Sequence, residues 1–213
     1  MIAFTAMNIQ KLNNSVSPFA GISFANNSFN KSGISQLIDN ELGRRVKTIG
    51  FDYSEILRNL SNVFLSGGGV IEDISTHLGE HLKMIPGNNV PSPDTALRAI
   101  KELSTTNTSF RSQNGIDYNF NINIRLNKLN LKALLRTDQL KTNHSYDFDY
   151  DNQVLANNKY DAKRTYKKNK GYVPGIATIE DKIVYIENRD GNANVKFEQA
   201  GTLSRAYDLL KSD

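Results

Sequence analysis

The chain has 213 residues, 38% of them apolar and 23% charged, with a formal net charge of +4 and a sequence pI of about 9.1. That supports one large domain or two small ones, and the mild basic excess is compatible with nucleic acid without requiring it. The absence of cysteine excludes a disulfide framework and thiolate metal sites. No apolar run approaches the ~20 residues of a membrane helix, and the N-terminus lacks a signal-peptide pattern, so the expected location is the cytoplasm.

Residues 1–30 are rich in Asn, Ser and Phe without a sustained period and read as a partly ordered arm. Helical spacing begins near Ile34, with Leu37, Ile38 and Leu42 on one face and Gly43 as the stop. A second helix is expected from Ser54, a fair N-cap, to Leu65, with Ile56, Leu57, Leu60 and Phe64 as its stripe. Ser66-Gly67-Gly68-Gly69 breaks the pattern; it lacks the spacing and lysine of a phosphate-binding loop and reads as a helix–helix turn. A third helix is expected from Val70 to Lys83, with Ile71, Ile74, Leu78 and Leu82 inward. Ser92-Pro93-Asp94-Thr95 opens a fourth, with Leu97, Ile100 and Leu103 apolar and Thr95, Arg98 and Lys101 on the opposite face. The order of helix, loop and cationic helix is that of a helix-turn-helix, in which Arg98 and Lys101 would meet DNA; a plain amphipathic surface helix is the competing reading.

Thr105 to Asn119 is polar and without clear period, and a further helix is expected from about Asn121 to Leu140. Beyond Leu140 the period changes from 3.6 to 2. Tyr146, Phe148 and Tyr150 alternate with Asp147, Asp149 and Asp151, which places the three carboxylates on one strand face. Like charges two residues apart repel, and a divalent cation would offset them; a solvated acidic edge is the alternative. A basic stretch follows, with Lys159, Lys163, Arg164, Lys167, Lys168 and Lys170 interleaved with Tyr160, Tyr166 and Tyr172. Such a stretch suits a phosphate-backbone track, or else a solvated loop. Segments 175–180 and 182–187 read as strands joined at Glu180-Asp181, Asn188 to Asn192 as a turn cluster, and Leu203 to Leu210 as the start of a helix. One further motif is His77-Leu78-Gly79-Glu80-His81, which matches the inverted zinc-protease signature if both histidines share a helical face; no third ligand is marked, and helix-surface histidines are the simpler reading.

Several segments together resemble the group 1 DDE insertion-sequence transposases, of the branch common in Bacteroidetes-type bacteria. They are Tyr53-Ser54-Glu55-Ile56, Gly67-Gly68 with Glu72-Asp73-Ile74, and Ser92 to Thr95 with Arg98 to Leu103. Tyr146 to Asp151, Lys159 to Lys163, Thr165 to Lys168, Gly171-Tyr172 with Pro174-Gly175, and Glu187 to Asn192 complete the set. The resemblance spans nearly the whole chain. It implies an α+β fold: a helical, helix-turn-helix-like DNA-binding region over 1–105, a linker and connecting helix over 106–142, and the first part of a ribonuclease-H-like mixed sheet over 143–213. It points to Asp151 or Asp149 as catalytic aspartate and metal ligand, with Asn152-Gln153 departing from the family's usual D-x-D-[ST] setting. It further implies Mg²⁺ (or Mn²⁺) in a complete relative and double-stranded DNA with the element's terminal repeats as substrate. Backbone contacts are expected from Lys163, Arg164, Lys167 and Lys168. The second aspartate and the glutamate of such a site would lie beyond Asp213, so the expectation is a C-terminally truncated, nucleoid-associated form limited to binding DNA, itself or full-length transposase. An uncovered apolar sheet face and an open strand edge should accompany that truncation.

Overall fold

The computed structural model describes residues 16–45 and 50–212. Its architecture is mixed α+β, helices first and antiparallel sheets after. Helix α1 (Gly21–Lys31) occupies part of the segment expected to be an irregular arm, whose first fifteen positions lie outside the described residues. Gly33, at φ +73°, turns the chain into α2 (Ile34–Leu42), which ends at Gly43 as its sequence indicates. Helix α3 (Tyr53–Leu65) starts a residue earlier than Ser54 because Asp52 and Glu55 form a reciprocal capping box. Ser54 instead spends its backbone N–H and hydroxyl on the Asp39 carboxylate, at 3.0 and 2.7 Å, tying α3 to α2. Phe64, expected inward, is exposed, and Val63 fills the core in its place.

The single helix expected over Val70 to Lys83 is broken into α4 (Asp73–Thr76) and α5 (Gly79–Lys83). The Ser75 and Thr76 hydroxyls bond back to the Glu72 carbonyl, and Gly79 has little helical preference, so the ladder fails at His77-Leu78. Ile74, Leu78 and Leu82 are still buried as their spacing requires. The glycine turn before α4 is closed internally, since Asp73 accepts from the Gly69 and Val70 N–H groups. Helix α6 (Pro93–Glu102) begins at Ser92, whose hydroxyl accepts from the Thr95 N–H. Its buried side chains are Ala96 and Ala99, whereas Leu97 and Ile100 are 45% and 44% exposed. The small alanines allow close approach to the core formed by α2 and α3, and the larger residues flank that contact.

The polar stretch after α6 is a hairpin, β1 (Thr108–Arg111) and β2 (Asp117–Asn121), not a linker. Helix α7 (Ile124–Arg136) is shorter than expected, opening on the Asn123 cap. It joins the two halves of the molecule: Leu129 packs into the helical core and Leu131 into the core under the sheet. Lys132 pairs with Glu41, and Arg136 donates to the Ser32 carbonyl.

Strands β3 (Phe148–Asn152), β7 (Gly175–Ile179) and β8 (Lys182–Arg189) follow, and β2 adds to β8 through Phe120↔Arg189 and Asn121↔Asn188. The result is a five-stranded sheet in the order β1-β2-β8-β7-β3. Every pairing in it is antiparallel, so among the described residues the sheet is not mixed as anticipated. Where β8 runs past the end of β2, side chains of α7 complete its edge: Asn127 exchanges two 2.8 Å hydrogen bonds with the Ile186 backbone, and Asn130 donates to the Ile183 carbonyl. Helix α8 (Gln199–Ser212) covers the inner face with Ala206 and Leu209. On the outer face Ile183 and Ile186 are each 42% exposed, and among the described residues β3 has only β7 as a strand neighbour.

Candidate nucleic-acid interface

Asp149 opposes Thr178 and Asp151 opposes Ile176 across the β3–β7 ladder, which puts both carboxylates on one face. Both are exposed, while Tyr150 between them packs against the inner core. Asp147 precedes the strand. Asp151 accepts its neighbour's backbone N–H at 2.7 Å, and neither Asp149 nor Asp151 forms an ion pair among the described residues. The pair is therefore two unneutralised hard-oxygen donors on one side of an edge strand.

The basic stretch is ordered by a second, three-stranded sheet of β4 (Leu155–Ala156), β5 (Lys163–Arg164) and β6 (Lys170–Tyr172), with β6 in the middle. Gly171 makes this possible, since a Cβ there would sit 2.1 Å from the Leu155 carbonyl oxygen. The tip is a tight turn in which Thr165 N–H bonds the Asn169 carbonyl at 2.7 Å and the two side chains bond each other. Lys168 takes φ +68° there. The turn presents Tyr166, Lys167 and Lys168 outward, with Lys163 and Arg164 exposed on the adjoining strand. At its base Tyr172 donates a 2.7 Å hydrogen bond to Asp161. That bond holds the Asp161 carboxyl below its ordinary pKa. Burial, reinforced by Asp161, pushes the Tyr172 phenol up to about 12.

The turn folds back toward β3. Asp149, Asp151, Tyr166 and Lys167 line one hollow of about 740 Å³. Asp151 also borders a second, of about 870 Å³, with Arg164 and Tyr166. The structure thus brings Asp149 and Asp151 together with Arg164 and Lys167. Arg98 and Lys101 are exposed on α6 and line neither hollow. Helix α6 is preceded by the five-residue α5 and a long loop from Met84 to Ser92, unlike the 3–4-residue turn of a helix-turn-helix.

Two oxygen donors on one face fit a Mg²⁺ ion, which is commonly held by one or two carboxylates together with substrate phosphate and water. They do not amount to a two-metal site, because no group of three or more His, Cys, Asp or Glu is gathered among the described residues. The zinc motif loses its geometry: the helix is broken between His77 and His81, and the His81 ring packs edge-on against Phe19 with centroids 5.3 Å apart.

Spacing alone missed the charges on the inner face. Glu187 on β8 is wholly buried and receives both ends of the Arg205 guanidinium from α8, at 3.0 Å each, with Tyr185 and Thr202 donating as well. Burial opposes the Arg205 charge, but Glu187 outweighs it and raises the guanidinium pKa. Burial and then the Glu187 charge drive the Tyr185 phenol far above its usual value. Arg189 is also buried, stacked 4.3 Å over the Phe120 ring, and donates to the Val195 and Phe197 carbonyls. The period-2 pattern of Tyr185, Glu187 and Arg189 beside β7 was the available signal. No helix among the described residues is long and apolar enough to cross a membrane. Comparison with protein-family models, with curated proteins and with solved structures found no match to the chain.

Proposed function

We propose that this chain is a DNA-binding protein of the transposase type, in which DNA lies across the outward face of β3. One observation carries the reading: two carboxylates on an edge strand with no ion pair among the described residues, framed by an ordered turn of exposed cations and tyrosines. Lys163, Arg164, Lys167 and Lys168 hold the phosphate backbone, because phosphates attract such a cluster and release counterions on binding. Asp149 and Asp151 would hold Mg²⁺ or Mn²⁺, which would supply Lewis-acid assistance to phosphodiester hydrolysis and to attack of the freed 3′-OH on target DNA. The antiparallel β3-β7-β8 order with α8 on one face supports a ribonuclease-H-like opening of the sheet. Arg98 and Lys101 add a separate cationic surface on α6, and the element's terminal repeats are the proposed sites. Such a protein would act at the bacterial nucleoid, alone, with itself or with a complete transposase.

A non-catalytic DNA-binding or inhibitory module is the second reading, favoured by the lack of a third carboxylate near Asp149 and Asp151 among the described residues. The full chain titrated with duplex DNA at several salt concentrations tests the shared part. Lys167→Ala with Lys168→Ala should weaken binding and flatten the log–log salt slope by about one unit per lost contact. Unchanged binding sinks the proposed interface. With Mg²⁺ and DNA carrying element ends, joined product above that of an Asp149→Ala, Asp151→Ala double variant selects the enzyme, and its absence selects the module.

A further inference from the structure

The hollow of about 870 Å³ beyond Asp151 has a chemistry the backbone track does not explain. Its lining comes from four separate parts of the chain: Tyr118 on β2, Tyr150 and Asn152 on β3, Arg164 and Tyr166 at the basic turn, and Lys196 after β8. The wall after β8 is held firmly. Asp190 donates its backbone N–H to the Asn119 carbonyl and accepts the Asn119 backbone N–H and side-chain amide through its carboxylate, and Arg189 grips two loop carbonyls from behind. Gly191 fits where a Cβ would lie 2.2 Å from the Gly171 carbonyl oxygen, so the loop and the small sheet are locked against each other. Within this rigid frame the Asn152 amide nitrogen is buried without a hydrogen-bond partner among the described residues. The Tyr150 hydroxyl is buried too, in reach of the Arg189 guanidinium. Buried polar atoms left without a partner cost free energy that a ligand's donors and acceptors recover.

The volume lies in the range of small-ligand pockets and is far too small for a duplex. Tyrosine faces stack on any base, an asparagine amide reads a base edge, and Arg164 with Lys196 suits an attached phosphate. Asp151 at the margin disfavours a bare anion, so a ligand with a neutral, hydrogen-bonding ring beside its phosphate fits better than phosphate alone. We infer that this hollow binds one unstacked nucleotide, its base among Tyr118, Tyr150 and Tyr166 and its edge against Asn152. As a nucleotide within a DNA strand, the inference rests on the proposed DNA-binding reading; as a free nucleotide, it does not.

Photocrosslinking tests it on the full chain. Single strands and duplexes carrying 5-iododeoxyuridine at successive positions should crosslink to Tyr118 or Tyr150, which backbone binding at the basic turn alone would not give. Tyr166→Leu should weaken single-strand binding about tenfold, and Tyr166→Phe should restore it, since stacking needs the ring and not the hydroxyl. Strands that bind but crosslink only outside the hollow overturn the inference and leave the DNA interface standing. Deoxyadenosine monophosphate that perturbs the Asn152 and Tyr118 NMR signals, with no strand or duplex bound, supports the nucleotide site and overturns the DNA reading. Neither crosslinks in the hollow nor perturbation by the mononucleotide removes the site altogether.

Discussion

Strands β3 and β8 lie on either side of β7 and carry carboxylates on opposite faces of one sheet, and the fold treats the two sets in opposite ways. Glu187 on β8 is enclosed, with both oxygens satisfied by Arg205, Thr202 and Tyr185. Asp149 and Asp151 on β3 face outward with no cation paired to them among the described residues. A buried charge persists only when paired and hydrogen-bonded, so the Glu187 cluster fixes α8 on the sheet. Exposed carboxylates incur no such penalty and remain open to an external cation. The charges that hold the fold and the charges offered to a ligand are therefore separated by the plane of one sheet.

The sharpest way to break that comparison is to unpair Glu187. Arg205→Met should cost about 3–5 kcal/mol in urea unfolding, because it strands a buried carboxylate, while Glu187→Met combined with Arg205→Met should recover much of the loss. A small effect of Arg205→Met would mean that the cluster is not what docks α8. Next in size is Asn127→Ala on α7. It leaves the Ile186 N–H and carbonyl without their amide partner and should cost about 1–3 kcal/mol, with faster amide exchange at Ile186.

Asp149→Asn and Asp151→Asn should behave differently. Each should alter stability by less than about 0.5 kcal/mol, with any gain attributable to relieved repulsion, yet abolish Mn²⁺ binding followed by paramagnetic broadening near β3. Loss of stability comparable to that of the Glu187 variants would erase the distinction between the two faces. A further effect is confined to alkaline pH. The Tyr172 phenol is neutral in the folded chain up to about 12, against about 10 when unfolded, so its contribution is complete below the lower value and lost as pH rises between the two. Tyrosinate absorbance should show late-titrating residues, Tyr185 among them, of which Tyr172→Phe removes one, together with the corresponding slope in stability.

Local chemistry determined much of this protein. The Ser92 cap with Pro93 set the start of α6, Gly43 the end of α2, and the alternation from Tyr146 to Asp151 and along 175–187 set the strands and the shared face of Asp149 and Asp151. These features follow from neighbours within a turn or a strand pair, and the α+β order followed with them. Tertiary contacts decided the rest. Ala96 and Ala99, not Leu97 and Ile100, face the core because the helices approach closely there. The polar stretch around Thr108 to Asn121 forms strands because β8 offers it an edge. Glu187 and Arg205 meet across 18 residues, and the hollow beside Asp151 needs side chains from as far apart as Tyr118 and Lys196. A sequence period reports which face a residue occupies, but not which distant group will lie against it, since burial and pairing of charge are settled only when the elements pack.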